Sequence, residues 1–172
     1  QQNNHIAQLN LGCIYYNGDG VKQDFSLAKY YYELSAQQNN HIAQLNLGCI
    51  YYNGDGVKQD FSLAKYYYEL SAQQNNHIAQ LNLGCIYYNG VDVKQDYIIA
   101  KYYFELSAKQ NNSDAQFSLG NIYFHGKGVI QDFSLAKYYY ELSAKQNNSN
   151  AFCNLGNIYY NGNGVKQNYI LA

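Results

Sequence analysis

Apolar and polar residues alternate along this chain in two recurring rhythms, both with helical spacing. In "HIAQLNLGCIYYNGDGVKQDFSLAKYYYELSA", Ala7, Leu11, Ile14 and Tyr15 fall three and four apart, which predicts a helix from about Ile6 to Tyr16. After a Gly-containing break the spacing resumes at Ala28, Tyr31, Tyr32 and Ser35, the packing face of a second helix from Phe25 to about Ala36. Asn4 and Asp24 stand just before the two helices as N-caps, and the Asp24 carboxylate also complements the helix dipole. Asn3 is placed to take the left-handed turn that ends a preceding helix. Ala7, Gly12, Ala28 and Ser35 are small enough to let the paired backbones approach closely.

The helix pair is written almost five times. Residues 1–36 recur letter for letter at 37–72, and 73–108 repeat them with a few changes, such as "NGVDV" for "NGDGV". Residues 109–144 begin "KQNNSDAQFSLGNIYFHGKGV", and 145–172 begin "KQNNSNAFCNLGNIYYNGNGV" and stop part-way. One such pair cannot bury its apolar face alone, so the 36-residue units must stack into a solenoid, a single array over residues 1–172. The missing initiator Met, the abrupt end at "YILA" and the lack of a polar capping helix give the expectation that the array is part of a longer protein.

These residues resemble the Sel1-like repeat, a relative of the tetratricopeptide repeat with a longer inter-helix loop. The matching marks in the first unit are Ala7, Leu11-Gly12, Tyr15, Gly18, Gly20-Val21, Asp24, Ala28, Tyr31-Tyr32 and Ala36. The resemblance covers the whole chain. It implies an all-α, right-handed αα-superhelical solenoid that serves as scaffold or adaptor for protein partners. Two departures stand out. Asn3, Asn39, Asn75, Asn111 and Asn147 occupy positions where the family often has Gly, and Asn also tolerates the left-handed conformation. "NGVDV" places Asp92 where the second loop Gly belongs, so that loop is expected to be strained or rearranged.

Other chemistries fit poorly. The net charge is −1, with 11 Lys+Arg against 12 Asp+Glu and every basic residue among them a Lys. That offers no broad footprint for nucleic acid or an anionic membrane, and no bidentate Arg contact. No apolar run approaches the eighteen or so residues of a membrane span, and no signal segment opens the chain, although one lying upstream would be invisible. "NGDGVKQD" looks like a phosphate loop but follows a helix rather than a strand, and its glycine spacing fits neither a P-loop nor a dinucleotide fingerprint. It reads as a turn, and no cofactor is expected.

His5, His41 and His77 recur once per unit, each eight residues before Cys13, Cys49 and Cys85. Eight residues of helix span roughly 12 Å at about 1.5 Å per residue, and stacked helices lie roughly 8–10 Å apart. Neither distance suits a Cys–His catalytic pair, a metal site or a disulfide between equivalent cysteines, which needs Cα atoms under about 7 Å apart. The residues particular to later units (Asp114, Ser118, His125 and Lys127) form no nucleophile–base set, so catalysis is not expected and a hydrolase is a distant third reading. Free thiols favour a reducing cytoplasm. The sequons at 111–113 and 147–149, read as chance in so Asn-rich a chain, would fit a secretory location instead.

A partner surface remains. By resemblance to tetratricopeptide arrays, the face of the first helix opposite its packing side lines the concave side, where partner segments dock. The positions are Ile6, Leu9, Cys13, Tyr16 and Asn17, then Ile42, Leu45, Cys49, Tyr52 and Asn53, then Ile78, Leu81, Cys85, Tyr88 and Asn89. In the fourth unit they become Asp114, Phe117, Asn121, Phe124 and His125, and in the fifth Asn150, Cys153, Asn157, Tyr160 and Asn161. The alternative is that the Leu9-type positions only pack between adjacent first helices. A second stripe joins Leu27, Tyr30 and Leu34, repeated as Leu63, Tyr66 and Leu70, Ile99, Tyr102 and Leu106, and Leu135, Tyr138 and Leu142. It is either inter-repeat packing or an exposed lateral interface, and the latter would make the array a structural part of a large assembly held along its convex side.

Overall fold

The computed structural model describes residues 4–171, so Asn3 lies outside the described residues. Among the described residues there are nine helices and no strand: α1 (His5–Asn17), α2 (Phe25–Ala36), α3 (His41–Asn53), α4 (Phe61–Gln73), α5 (His77–Asn89), α6 (Tyr97–Lys109), α7 (Ser113–His125), α8 (Phe133–Ala144) and α9 (Ser149–Asn161). The fold is the all-α solenoid of 36-residue helix-loop-helix repeats that the period requires. The chain divides into two compact units, Gln1–Leu83 and Gly84–Ala172.

Each repeat is assembled the same way. The Asn4, Asn40, Asn112 and Asn148 side chains accept from the backbone N–H groups two and three residues on, and Asp24, Asp60, Asp96 and Asp132 cap the second helices. The first helix ends on a left-handed glycine (Gly18 at φ +80°, Gly54 at +81°), and the chain then folds back until the Asp24 N–H reaches the Tyr15 carbonyl at 2.9 Å. The Gln23 side chain donates to the Tyr16 carbonyl at 2.7 Å, closing one more open helix end, and Gln59, Gln95, Gln131 and Gln167 repeat the bond. "NGDGVKQD" is therefore a helix stop, a return and a helix start.

The helices pair by seating an aromatic ring on bare backbone. A Cβ at Gly48 would stand 2.5 Å from two ring carbons of Tyr68, and Gly12, Gly84 and Gly120 receive Tyr32, Phe104 and Tyr140 equally closely. At the other end of the pair Ser35, Ser71 and Ser143 donate to the carbonyls of His5, His41 and Ser113 at 2.6–2.7 Å. In the first unit Ala28, Tyr32, Ala43, Leu47 and Ile50 form a sealed core, and in the second Ala136, Tyr140, Ala144, Ala151 and Ile158 do so. Leu47 and Leu119 are fully buried whereas Leu11 is 37% exposed, because this position is covered by the preceding repeat's second helix.

Asn39, Asn75, Asn111 and Asn147 all turn the chain at φ between +61° and +64°, as their tolerance of that region allows. Asp92 also adopts φ +53°. Its loop keeps the bonds of its relatives, Val91 N–H to the Ile86 carbonyl at 3.1 Å and Asp96 N–H to the Tyr87 carbonyl at 2.9 Å. Of the two outcomes expected for "NGVDV", rearrangement is not seen: the backbone keeps its course, and Asp92 takes the left-handed φ that aspartate, like asparagine, enters more readily than most residues.

Tyr68 is only 3% exposed and cannot swing aside. Gly48→Ala should destabilise the protein by about 1–3 kcal/mol, the usual cost of overpacking a closed core, read as a lower midpoint in urea unfolding followed by circular dichroism. An unchanged midpoint would mean that the ring does not set the helix spacing.

Candidate partner-binding surface

In the first unit three isoleucines stand at one position of successive first helices. Ile6, Ile42 and Ile78 are 56%, 42% and 43% exposed, each on the turn that an asparagine cap holds open. The leucines one turn further on behave differently. Leu45 is buried, while Leu9 and Leu81 are partly buried and Leu9 packs against the core. Leu45 is thus packed inward, unlike Ile42 on the same helix. Cys13 and Tyr16 also pack partly against this core.

Tyr16 lies edge-on to Phe25, with ring centroids 5.4 Å apart, and Tyr52 lies likewise on Phe61 at 5.2 Å. The Tyr16 hydroxyl donates to Asp55 Oδ2 at 2.7 Å, and Asn53 Nδ2 donates to the same oxygen at 3.2 Å. Burial, together with the hydrogen bond and charge of Asp55, pushes the Tyr16 phenol up to about 12. Asn17 and Asn53 are exposed beside these rings.

The second unit offers the same scaffold with other chemistry. Tyr88 lies edge-on to Tyr97 at 5.3 Å, and Lys127 Nζ donates to the Tyr88 hydroxyl at 2.7 Å while lying 4.5 Å from the centre of that ring. That hydrogen bond holds the Lys127 ammonium above its ordinary pKa against the opposing effect of burial. Phe117 and Phe124 flank Tyr140, and exposed His125 rests edge-on against Phe124 at 5.0 Å. Asp114 is exposed and accepts from Asn148 Nδ2 at 2.9 Å, Asn89 is exposed, and Tyr160 is 58% exposed against Tyr169.

The groups with reactive chemistry serve the architecture. His5 Nδ1 lies 2.9 Å from Asn40 Nδ2 and His41 Nδ1 lies 3.1 Å from Asn76 Nδ2, so each ring braces the cap of the next first helix. The Tyr32 and Tyr68 hydroxyls point to Cys13 and Cys49 Sγ at 3.5 and 3.6 Å. Burial pushes the Cys49 and Cys85 thiols up, which leaves little thiolate to act as a nucleophile. Among the described residues no three His, Cys, Asp or Glu gather where a metal ion would sit, and no helix is long and apolar enough to cross a membrane.

The second stripe divides by position. Tyr30, Tyr66, Tyr102 and Tyr138 are 50–56% exposed and Leu27, Ile99 and Leu135 are 37–39% exposed, whereas Leu34, Leu63, Leu70, Leu106 and Leu142 are half-buried. Sequence reasoning missed Asp55 altogether and weighed Lys127 only for catalysis, not as a partner of Tyr88. They occupy one loop position that reads Asp19, Asp55, Val91, Lys127 and Asn163 through the array, and each meets a tyrosine 39 residues earlier.

The Sel1 repeat family model matches residues 5–40, 41–76, 77–112, 113–148 and 150–172. The chain belongs to the Sel1 repeat family. Sel1 repeat proteins are in general non-catalytic protein-interaction scaffolds. The Sel1 repeat protein of Oxalobacter formigenes superposes with a TM-score of 0.91 at 34% identity, over 99% of this chain and 70% of that one. The protective antigen c5321 of uropathogenic Escherichia coli, which displays this fold, gives 0.92 at 31% identity over 98% of the chain. The chain spans 36% of that antigen's length. The cysteine-rich protein B of Helicobacter pylori gives 0.59 at 25% identity, over 80% of this chain and 98% of that one. No curated protein matches.

In this Sel1 array Tyr16 provides a test of the loop contact. Its folded pKa lies above the ordinary phenol value of about 10, so its contribution to stability is full below that pH and is lost as pH rises through about 12. Tyrosine ring-carbon NMR should place the Tyr16 midpoint near 12 and show it falling in Asp55→Asn. A midpoint that ignores that substitution would refute the contact.

Proposed function

We propose that the array is a non-enzymatic adaptor that docks a segment of a partner protein on the concave face formed by its first helices. The observation that carries this reading is the row Ile6, Ile42 and Ile78, three exposed apolar side chains that packing does not require. Half-buried Tyr16 and Tyr52 share these first helices with their rings already fixed, Tyr88 is fixed in the same way within the second unit, and rigid aromatic side chains lose little entropy on binding. Asp114 and Asn150 replace the isoleucines in the later repeats, and Lys127 replaces Asp55, so successive repeats present different chemistry to a segment. The concave placement of this face follows the family resemblance, and the free thiols of Cys13, Cys49, Cys85 and Cys153 support a cytoplasmic location.

Photo-crosslinkers placed at Ile42 and Ile78, and separately at Tyr30 on the second-helix side, would map the contact in the source cells. Cross-links to one defined partner are expected from the isoleucine positions. Ile42→Asp with Ile78→Asp should leave the melting temperature nearly unchanged, since both residues are exposed, and weaken that partner at least about tenfold. Cross-links from Tyr30 alone would replace this reading with attachment through the second helices.

A further inference from the structure

The second helices build a recess that packing does not explain. On α4, Tyr66 and Tyr67 meet edge to face with centroids 5.3 Å apart and planes at 68°, forming an aromatic corner. Tyr67 lies flat on Tyr51 of α3 at 5.7 Å, which fixes the corner in place, while Tyr66 remains 50% exposed. Across from it α2 contributes Glu33 and Ala36, its cap residue Gln37 follows, and with Leu70 they line an open groove of about 290 Å³. Ring faces and a carboxylate both attract a cation, and Ala36 and Leu70 suit the methylenes of its stem.

The surroundings already favour positive charge. Lys29 Nζ lies 3.4 Å from Glu33 Oε1 and 5.9 Å from the centre of the Tyr51 ring. Together Glu33 and Tyr51 hold the Lys29 ammonium above its ordinary pKa, although burial opposes it. Lys29 sits one turn before Glu33, whereas the groove opens one turn after it, towards neutral Gln37. The groove therefore has a carboxylate to share and no cation of its own in its wall.

We propose that the groove between α2 and α4 receives an arginine side chain of a protein partner, its guanidinium flat against the Tyr66–Tyr67 corner and hydrogen-bonded to Glu33. Arginine fits better than lysine because its planar, weakly hydrated head stacks on rings and pairs with a carboxylate at once. The second unit contains a built-in contrast. The groove of about 310 Å³ between α6 and α8 repeats the corner with Tyr138 and Tyr139, but Lys109 stands where Gln37 does. A cation there meets a like charge, so the two grooves differ in charge preference. This contact is made by second helices and is independent of the isoleucine row.

The test uses the whole chain, labelled with 15N and titrated with blocked Gly-Arg-Gly against blocked Gly-citrulline-Gly, which keeps the shape and removes the charge. The arginine peptide should shift the Glu33, Gln37, Tyr66 and Tyr67 resonances and bind about fivefold more tightly than the citrulline peptide, the scale of an exposed cation–π contact plus a surface ion pair. Glu33→Gln should abolish that preference, Gln37→Lys should weaken arginine binding, and Lys109→Gln should create the preference in the α6–α8 groove. Glu33→Gln removes only a half-exposed i,i+4 pair along one helix and should leave the fold intact. Equal binding of both peptides, shifts confined to other residues, no saturable binding, or a preference that survives Glu33→Gln would each overturn the proposal.

Discussion

Everything in this protein rests on a ring laid over a glycine. Tyr32, Tyr68, Phe104 and Tyr140 each cover the bare backbone of Gly12, Gly48, Gly84 and Gly120, at a distance no side chain could share. The contact sets how near the two helices lie, and that nearness lets Ser35, Ser71 and Ser143 reach the first carbonyl of the partner helix. Phe104 shows that the ring matters more than its hydroxyl, being 1% exposed in the place where the other repeats have tyrosine. Where a hydroxyl is present it finds Cys13, Cys49 or Asn121, and burial holds all three phenols well above their ordinary range. A large side chain with a polar tip is thereby buried without an orphaned atom.

Between repeats the adhesive is amide rather than charge. Asn40 caps α3 with its oxygen and reaches His5 with its nitrogen, so one side chain both starts a helix and ties it to the repeat before. Gln44 and Gln74 bond to each other and to Asn39, and Gln116, Gln146 and Asn111 repeat the triangle in the second unit. The asparagines that replace the family's glycine thus do two things: they take the left-handed turn and offer an acceptor that glycine lacks. The ion pairs Lys29–Glu33, Lys101–Glu105 and Lys137–Glu141 all run along single second helices and add little to the stacking. Among the described residues no buried side-chain nitrogen or oxygen lacks a partner.

Because the frame is satisfied internally, positions outside it are free to vary. The loop residue facing the tyrosine of the preceding repeat is an aspartate at Asp55 and a lysine at Lys127, yet both loops have the same backbone course. The first-helix position that is isoleucine three times becomes Asp114 and then Asn150 without disturbing the caps around it. A repeat array of this kind separates what holds it together from what it shows to a partner, as suits the scaffolding role general to the family.

The sequence by itself determined the period, both helices of the four complete repeats, their caps, the left-handed turns at Asn39, Asn75, Asn111 and Asn147, and the need for a small residue at Gly12. These are local matters, set by backbone geometry and by neighbours three and four residues apart. Only the tertiary structure decided that Ile42 faces solvent while Leu45 is sealed, because stacking against another helix, not periodicity, buries the second and spares the first. It alone paired Tyr16 with Asp55 and Tyr88 with Lys127, contacts across 39 residues that exist only once repeats are stacked. It also divided the second-helix stripe, which a hydropathy pattern cannot do, since tyrosine is apolar in its ring and polar at its tip. The rings of Tyr66 and Tyr138 stay outside, Leu70 and Leu142 one turn on are half-buried, and the grooves between second helices are lined by these pairs.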